Sequence, residues 1–193
     1  FANTNVKLWI KSDTYPGDTQ FTDFAGSIGQ TAKTITNSGH TLTASPVLKT
    51  DTDDYALSGG SDAIFFDGTA DHIVVPSHTD LVFASGDFTV EYWVKVSSFT
   101  TSDIIMGTFA ATAGVGWQIM ENGSNRFQWY AGSGALMAGT AAGTMTTGVW
   151  YHHIWQRVNN RLSMYMDGVS STISVNDIYN YQFNTTKSYM IIG

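Results

Sequence analysis

The sequence predicts an all-β protein, a sandwich or barrel of short antiparallel strands. Three observations carry this. Of the sixteen carboxylates, fourteen are Asp and only Glu91 and Glu121 are Glu; Asp favours turns and caps, whereas Glu favours helices. Charged residues make up 13% of the chain, about half the usual ~25%, so few solvated helix faces are available. Finally, about a dozen short segments alternate apolar and polar residues with period two between Gly, Asn and Asp turn signals.

The elements follow in order. Val6, Leu8 and Ile10 alternate with Lys7 and Trp9, a half-buried strand, and residues 12–33 read as loop with Phe21, Phe24 and Ile28 as apolar anchors. Thr34 to Thr43 reads as a strand pair turning at Asn37-Ser38-Gly39. Ala63–Phe66 and His72–Val75 flank Asp67-Gly68, a strong hairpin signal, and Pro76 ends the second strand. Ser77 to Phe83 suits one helical turn with Ser77 as its cap. Phe88, Val90, Tyr92, Val94 and Val96 form one face of the clearest strand, with Thr89, Glu91, Trp93 and Lys95 on the other. Ile104–Phe109, Val115–Glu121 and Arg126–Ala131 are further strands, with a turn at Glu121-Asn122-Gly123. Val149–Val158 meets Arg161–Met166 across Asn159-Asn160, two residues that tolerate positive φ. Asp167-Gly168 turns into Val169–Val175, and Ser188–Ile192 is the last strand.

The chain has 193 residues, no Cys and a formal charge of -7, a length that suits one domain. Without Cys there is no disulfide framework, thiol nucleophile or thiolate metal site. A pI near 4.9 argues against nucleic-acid binding through a broad basic surface. No run of about 18 apolar residues is present, so no membrane insertion is expected. The first residue is Phe1, and no signal-like segment precedes the first strand; the chain reads as processed or as a segment of something longer.

Three blocks, in order, resemble a known family. They are Phe66-Asp67-Gly68-Thr69-Ala70-Asp71-His72-Ile73-Val74-Val75-Pro76 with Gly86-Asp87-Phe88-Thr89-Val90-Glu91-Tyr92-Trp93-Val94-Lys95; Gly148-Val149-Trp150-Tyr151-His152-His153-Ile154 with Leu162-Ser163-Met164-Tyr165-Met166-Asp167-Gly168; and Met190-Ile191-Ile192-Gly193. They resemble the concanavalin A-like, laminin-G-type (LamG-like) jelly roll, in the form found in tailed-bacteriophage structural proteins and secreted bacterial proteins. The resemblance implies a two-sheet antiparallel jelly-roll sandwich over residues 1–193. The family pattern continues into a strand of Gly-x-Ile-Asp-Glu-x-Arg type, which is not present here. The expectation is therefore a truncated domain, in preference to a strand supplied by another chain.

Candidate sites are few. Retaining glycosidases need two carboxyl groups ~5–5.5 Å apart, which alternate positions on one strand deliver. Glu91 and Glu121 are thirty positions apart and neither has a carboxylate two residues away, so both read as solvent-facing acids. No Gly-x-Ser-x-Gly elbow supports a triad, and the expectation is no catalysis, with a glycoside hydrolase the remote alternative. His152 shares a face with Trp150 and Ile154 and reads as a packed histidine. His153 shares the other face with Tyr151, Trp155 and Arg157. That row either packs under a second sheet or against another subunit, or stacks on and hydrogen-bonds a sugar. Tyr151, His153, Trp155 and Arg157 are thus the candidate ligand-binding set, and Trp117, Trp129 and Tyr130 carry the same ambiguity. Asp51, Asp53 and Asp54 offer hard oxygen ligands for Ca²⁺, but without the Gly and distal Glu of an EF-hand loop they read first as a solvated turn, and no cofactor is expected. Asn122-Gly-Ser124 and Asn184-Thr-Thr186 fit the glycosylation acceptor pattern, a frequent chance match.

Two functions follow as expectations. One is a structural or interaction module on a particle surface, a bacteriophage capsid decoration or tail-associated protein. It would sit among other virion or surface proteins in multivalent display and contact host or environmental glycans. The other is a carbohydrate-binding or adhesion domain of a secreted bacterial protein. Both place it on a virion surface or outside the cell.

Overall fold

The computed structural model describes residues 5–8, 10, 23, 25–26, 30–39, 47–50, 62–68, 71–99, 103–109, 116–131, 135–171, 173–174 and 189–193. Their secondary structure is almost entirely antiparallel strand, as expected for an all-β sandwich. No helix among the described residues is long and apolar enough to cross a membrane. The chain divides into two compact units, Phe1–Leu81 with Tyr189–Gly193, and Val82–Ser188.

In the first unit, β4 (Asp71–Val75) runs between β1 (Thr36–Gly39) and β14 (Met190–Ile192), while β2 (Val47–Thr50) pairs with β3 (Asp62–Phe65). Ile73 of β4 is buried against Ile10, Ile35, Ile64, Phe66 and Ile192. Three local expectations are corrected here. The Asp67-Gly68 turn is present, with Gly68 at φ 81° and the Asp67 N–H donated to Asp71 Oδ2 at 3.1 Å. It does not close a hairpin, because both edges of β4 are taken by β1 and β14 and β3 pairs elsewhere. Asn37, Ser38 and Gly39 lie inside β1, opposite Ile73, His72 and Asp71, so ladder hydrogen bonds override their turn propensity. Of the expected Val6–Ile10 strand, only an isolated bridge from Ile10 to Asp23 is seen among the described residues.

Asp23 compensates for the irregular backbone near that bridge. Its carboxylate accepts the N–H groups of Ala25 and Lys33, both at 2.9 Å. The buried Lys33 ammonium lies 3.9 Å from Asp23 and 3.4 Å from Asp80, and it also donates to the Lys7 carbonyl. The turn at Thr79–Leu81 is a 3₁₀ turn held by His78, whose carbonyl accepts from Leu81 and whose Nδ1 accepts from Asp80. The capping role expected of Ser77 thus falls to His78.

The second unit holds two facing sheets. One runs β12 (Val169–Ser170), β11 (Arg161–Met166), β10 (Trp150–Val158), β5 (Phe88–Lys95). The other contains β6 (Asp103–Phe109), β7 (Gly116–Asn122), β8 (Arg126–Ala131), β9 (Ala135–Gly139) and β13 (Ile173–Ser174) in that order. Aromatic rings fill the space between them. Trp117 and Trp129 stack at 4.6 Å, Phe83 lies on Trp117 and Phe88, Phe88 on Trp129, and Trp129 meets Trp155 at 5.8 Å. The ambiguity over Trp117 and Trp129 is settled inward, since both are buried. Tyr130 is half-buried and donates its hydroxyl to Gln128 Oε1 at 3.0 Å.

Turn chemistry sets the register of this unit. Asn159 and Asn160 take φ of 50° and 64°, and Asp167 and Gly168 take 50° and 78°, so both are two-residue turns with positive φ at each centre, as expected. The β7–β8 turn differs: it occupies Gly123–Asn125, and Asn125 rather than Gly123 adopts positive φ, at 53°. On β6, Gly107 is required by close approach of β7, because a Cβ there would lie 2.5 Å from the Trp117 carbonyl oxygen and 2.9 Å from Gln118 Cα. Backbone cannot yield as a flexible side chain would. Gly107→Ala should therefore destabilise the fold by about 1–3 kcal/mol, measured as a lower urea midpoint at unchanged m-value; an unchanged midpoint would show that β6 and β7 can separate freely.

Candidate functional site

The pairing of β5 with β10 builds the site. Its register sets Tyr92 opposite His153, Trp93 opposite His152 and Glu91 opposite Ile154. Successive residues on a strand face opposite ways, so Tyr92, His153, Trp155 and Arg157 share one face, and Trp93, Glu91, His152 and Trp150 the other.

The first face points inward. His153, Trp155 and Arg157 are each 0% exposed and Tyr151 is half-buried. The four expected ligand-binding residues do form one row, of which His153, Trp155 and Arg157 lie within the sandwich and Tyr151 lies at its edge. Trp155 Nε1–H can only donate, so the Tyr92 hydroxyl oxygen accepts it at 3.1 Å. The same hydroxyl pairs with His153 Nδ1 at 3.2 Å, and the other ring nitrogen, Nε2, faces away from it. That nitrogen has no hydrogen-bond partner among the described residues, and the ring stands edge-on to Phe127 at 4.7 Å. Burial pushes the Tyr92 phenol above its ordinary range, opposed by the Trp155 hydrogen bond. Burial, with His152 nearby, lowers the His153 pKa from 6.5 to about 3, so His153 is neutral. Arg157 donates to the Ala84 carbonyl and to Asn160 Oδ1, both at 3.0 Å. Ala84 adopts φ 44° and Asn160 φ 64°; the guanidinium ties both to the sheet. Tyr151 reaches outward, its hydroxyl accepting the Thr146 N–H at 3.0 Å.

The second face meets solvent. Trp93 is 43% exposed and stacks on His152 at 4.8 Å and 22°. His152 Nε2 lies 2.9 Å from Glu91 Oε1, and the Glu91 side chain is 60% exposed. Next to this cluster the Lys95 ammonium sits 5.4 Å over the Trp150 ring, and Gln156 donates to Thr89. The His152 backbone N–H is held by Asp167 Oδ1 at 2.8 Å. His152 is half-buried and held by its Glu91 bond and its stack on Trp93, close to the packed histidine expected, but on the outer face; His153 is the fully buried one, packed under the second sheet. Sequence reading passed over Trp93, although its place among Thr89, Glu91 and Lys95 on the polar side of β5 was a usable signal. An indole in that company is out of place on a face that only meets water.

The two glutamates do not converge. Glu91 stands on the outer face of the four-stranded sheet, while Glu121 is buried on β7 of the other sheet beside Phe127 of β8. Glu121 is thus not the solvent-facing acid expected. Among the described residues, no group of three or more His, Asp or Glu could hold a metal ion. Asp51, Asp53 and Asp54, the calcium candidates, lie outside the described residues, as does Asn184-Thr-Thr186.

The second unit is thus a two-sheet β-sandwich with an aromatic interior and an aromatic side chain exposed on the outer face of one sheet. Residues 67–193 match the family described as the concanavalin A-like lectin/glucanases superfamily. The chain belongs to that family, of laminin-G type. No curated protein sequence matches the chain. Among solved structures, it is similar to domain 4 of AbnA, a GH43 extracellular arabinanase from Geobacillus stearothermophilus, in complex with arabinotriose. The TM-score is 0.54 at 18% identity, over 84% of this chain and 73% of that one. It is also similar to botulinum neurotoxin type C, described as entering cells dependent on two ganglioside molecules, with TM-score 0.56 at 12% identity over 99% of this chain. The likeness takes in only 43% of the toxin chain. At these identities the likenesses show the fold.

The buried imidazole makes stability depend on pH. The folded state holds His153 neutral down to about pH 3, whereas the unfolded chain binds its proton below 6.5. Its contribution is complete above pH 6.5 and is lost as pH falls through that window, at up to roughly 1.4 kcal/mol per pH unit. Comparing urea unfolding of wild type and His153→Gln from pH 7 to 4, the stability advantage of wild type should shrink steadily. Parallel curves would show that His153 is not held neutral by the fold.

Proposed function

We propose that the protein is a non-catalytic recognition module that contacts glycans through the outer face of its four-stranded sheet and acts in many copies on an exterior surface. The observation that carries this reading is Trp93, exposed, stacked on His152 and flanked by Glu91. Sugars are recognised by apolar contact on their C–H faces and by many weak hydrogen bonds, and this face offers both. The placement of Glu91 and Glu121 in different sheets speaks against the two glutamates acting as the carboxyl pair that glycosidic cleavage needs. The likeness to a domain solved with arabinotriose supports a saccharide ligand.

The resemblance to tailed-bacteriophage structural proteins favours display on a virion, as a capsid decoration or tail-associated protein among other virion proteins. The likeness to a domain of an extracellular arabinanase favours a second setting, a carbohydrate-binding or adhesion domain of a secreted bacterial protein. The glycan chemistry is common to both.

Weak single contacts make copy number decisive, since linked copies raise apparent affinity by about 10²–10⁴. On a glycan array the protein coupled to a tetrameric carrier should bind where the single chain gives little signal. Calorimetry should find millimolar binding of the single chain, the same in Ca²⁺ as in EDTA. No binding by either form at millimolar sugar overturns the glycan reading, and mass spectrometry of purified virions separates the two settings.

A further inference from the structure

Resting on the glycan-binding reading above, we propose that the Trp93–His152–Glu91 cluster is the contact point and that it takes a neutral saccharide, not a sialylated, sulfated or uronic one. Trp93 and Glu91 are two residues apart on β5, so their side chains leave the same face roughly 6.5–7 Å apart, about the width of one sugar ring. His152, opposite Trp93 in the register, stands beside it on β10.

The three groups divide the chemistry of a sugar between them. The exposed indole offers an apolar, electron-rich surface to the weakly positive C–H face of the ring. The hydroxyls at the ring's edge need acceptors, and a carboxylate has more acceptor sites than one partner can fill. Oε1 of Glu91 meets His152 Nε2 at 2.9 Å, and the side chain remains 60% exposed, with capacity left for a pair of hydroxyls. The His152 bond holds the carboxylate in place, and the ring is fixed in turn by its stack on Trp93.

Sign of charge sets the class. Glu91 stands two residues to one side of Trp93 and is bonded to the His152 ring that stacks on the indole. Lys95 stands two residues to the other side with its ammonium engaged over the Trp150 ring at 5.4 Å, and Arg161 lies farther off, opposite Val158. A ligand carboxylate or sulfate placed on Trp93 would therefore meet a like charge first, on a chain whose formal charge is already -7. A neutral ring meets no such penalty.

The test pairs a panel with variants. Neutral oligosaccharides are compared with sialylated, sulfated and uronic ones of equal length, and with choline, a cation that an indole beside a carboxylate could also hold. The best ligand is then titrated against Trp93→Ala, Glu91→Gln and, as a control away from the cluster, Val169→Ala. Neutral sugars should bind best; Trp93→Ala should lose about tenfold or more, Glu91→Gln should lose several-fold and narrow the discrimination against anionic sugars, and Val169→Ala should match wild type. Unchanged melting temperatures show that the variants are folded, as expected for side chains outside the core. If nothing in the panel binds, the glycan reading falls and this inference with it. If a glycan binds but Trp93→Ala keeps its affinity, or anionic sugars or choline bind better, this inference falls alone.

Discussion

The register of β5 against β10 is the constraint on which the rest of the second unit depends. Opposing Tyr92 to His153 sends Phe88, Tyr92, Trp155 and Arg157 into the interior and leaves Trp93, Glu91 and His152 outside. A slip of one residue would exchange every side chain between the faces. It would place Glu91, Trp93 and Lys95 against Trp129 and put the buried row in water. The register is pinned at one end by the Asn159-Asn160 turn, whose Asn159 N–H is accepted by Asp87 Oδ1 at 3.0 Å. At the other end the Gly148 N–H is donated to the Val96 carbonyl at 2.9 Å.

The inward row is an unusual way to build a core. An apolar strand would have filled the same space without desolvating an imidazole, a phenol and a guanidinium. Buried polar groups are tolerable when hydrogen-bonded, and here they are organised as a short chain from Trp155 through Tyr92 to His153, with Arg157 bonded to Ala84 and Asn160. These bonds are directional where ring stacking is not. They therefore select one register and one arrangement of the 84–88 and 158–161 segments from the many that would bury similar area.

Much of the fold was legible because period two is a local signal. The β5 alternation, the β10–β11 hairpin at Asn159-Asn160 and the closing strand could be read from residues close together in the chain. What was not legible was long-range pairing: that β1 and β14 occupy both edges of β4, or that Asn37-Ser38-Gly39 would be held straight by Asp71, His72 and Ile73. The choice between packing and ligand contact for the β10 row was open for the same reason. Tyr151, His153, Trp155 and Arg157 were correctly grouped on one face, but which face of β10 looks inward depends on its partner strand. Amphipathic residues such as His, Trp and Arg do not say which. The apolar face of β5 was unambiguous, and only the pairing of Tyr92 with His153 carries that information across to β10.

The two faces consequently answer to different pressures. Inward substitutions disturb stacked indoles and a hydrogen-bonded row, where losses of several kcal/mol are usual. Outward ones touch side chains outside the core, and surface changes typically move stability by no more than about 0.5 kcal/mol. The outer face can thus change its ring, its acid or its cation without endangering the sheet beneath it. A sandwich built this way keeps its stability on one side of the strand pair and leaves the other side free to vary, the separation on which the proposed glycan contact relies and one that lets a single fold serve many functions.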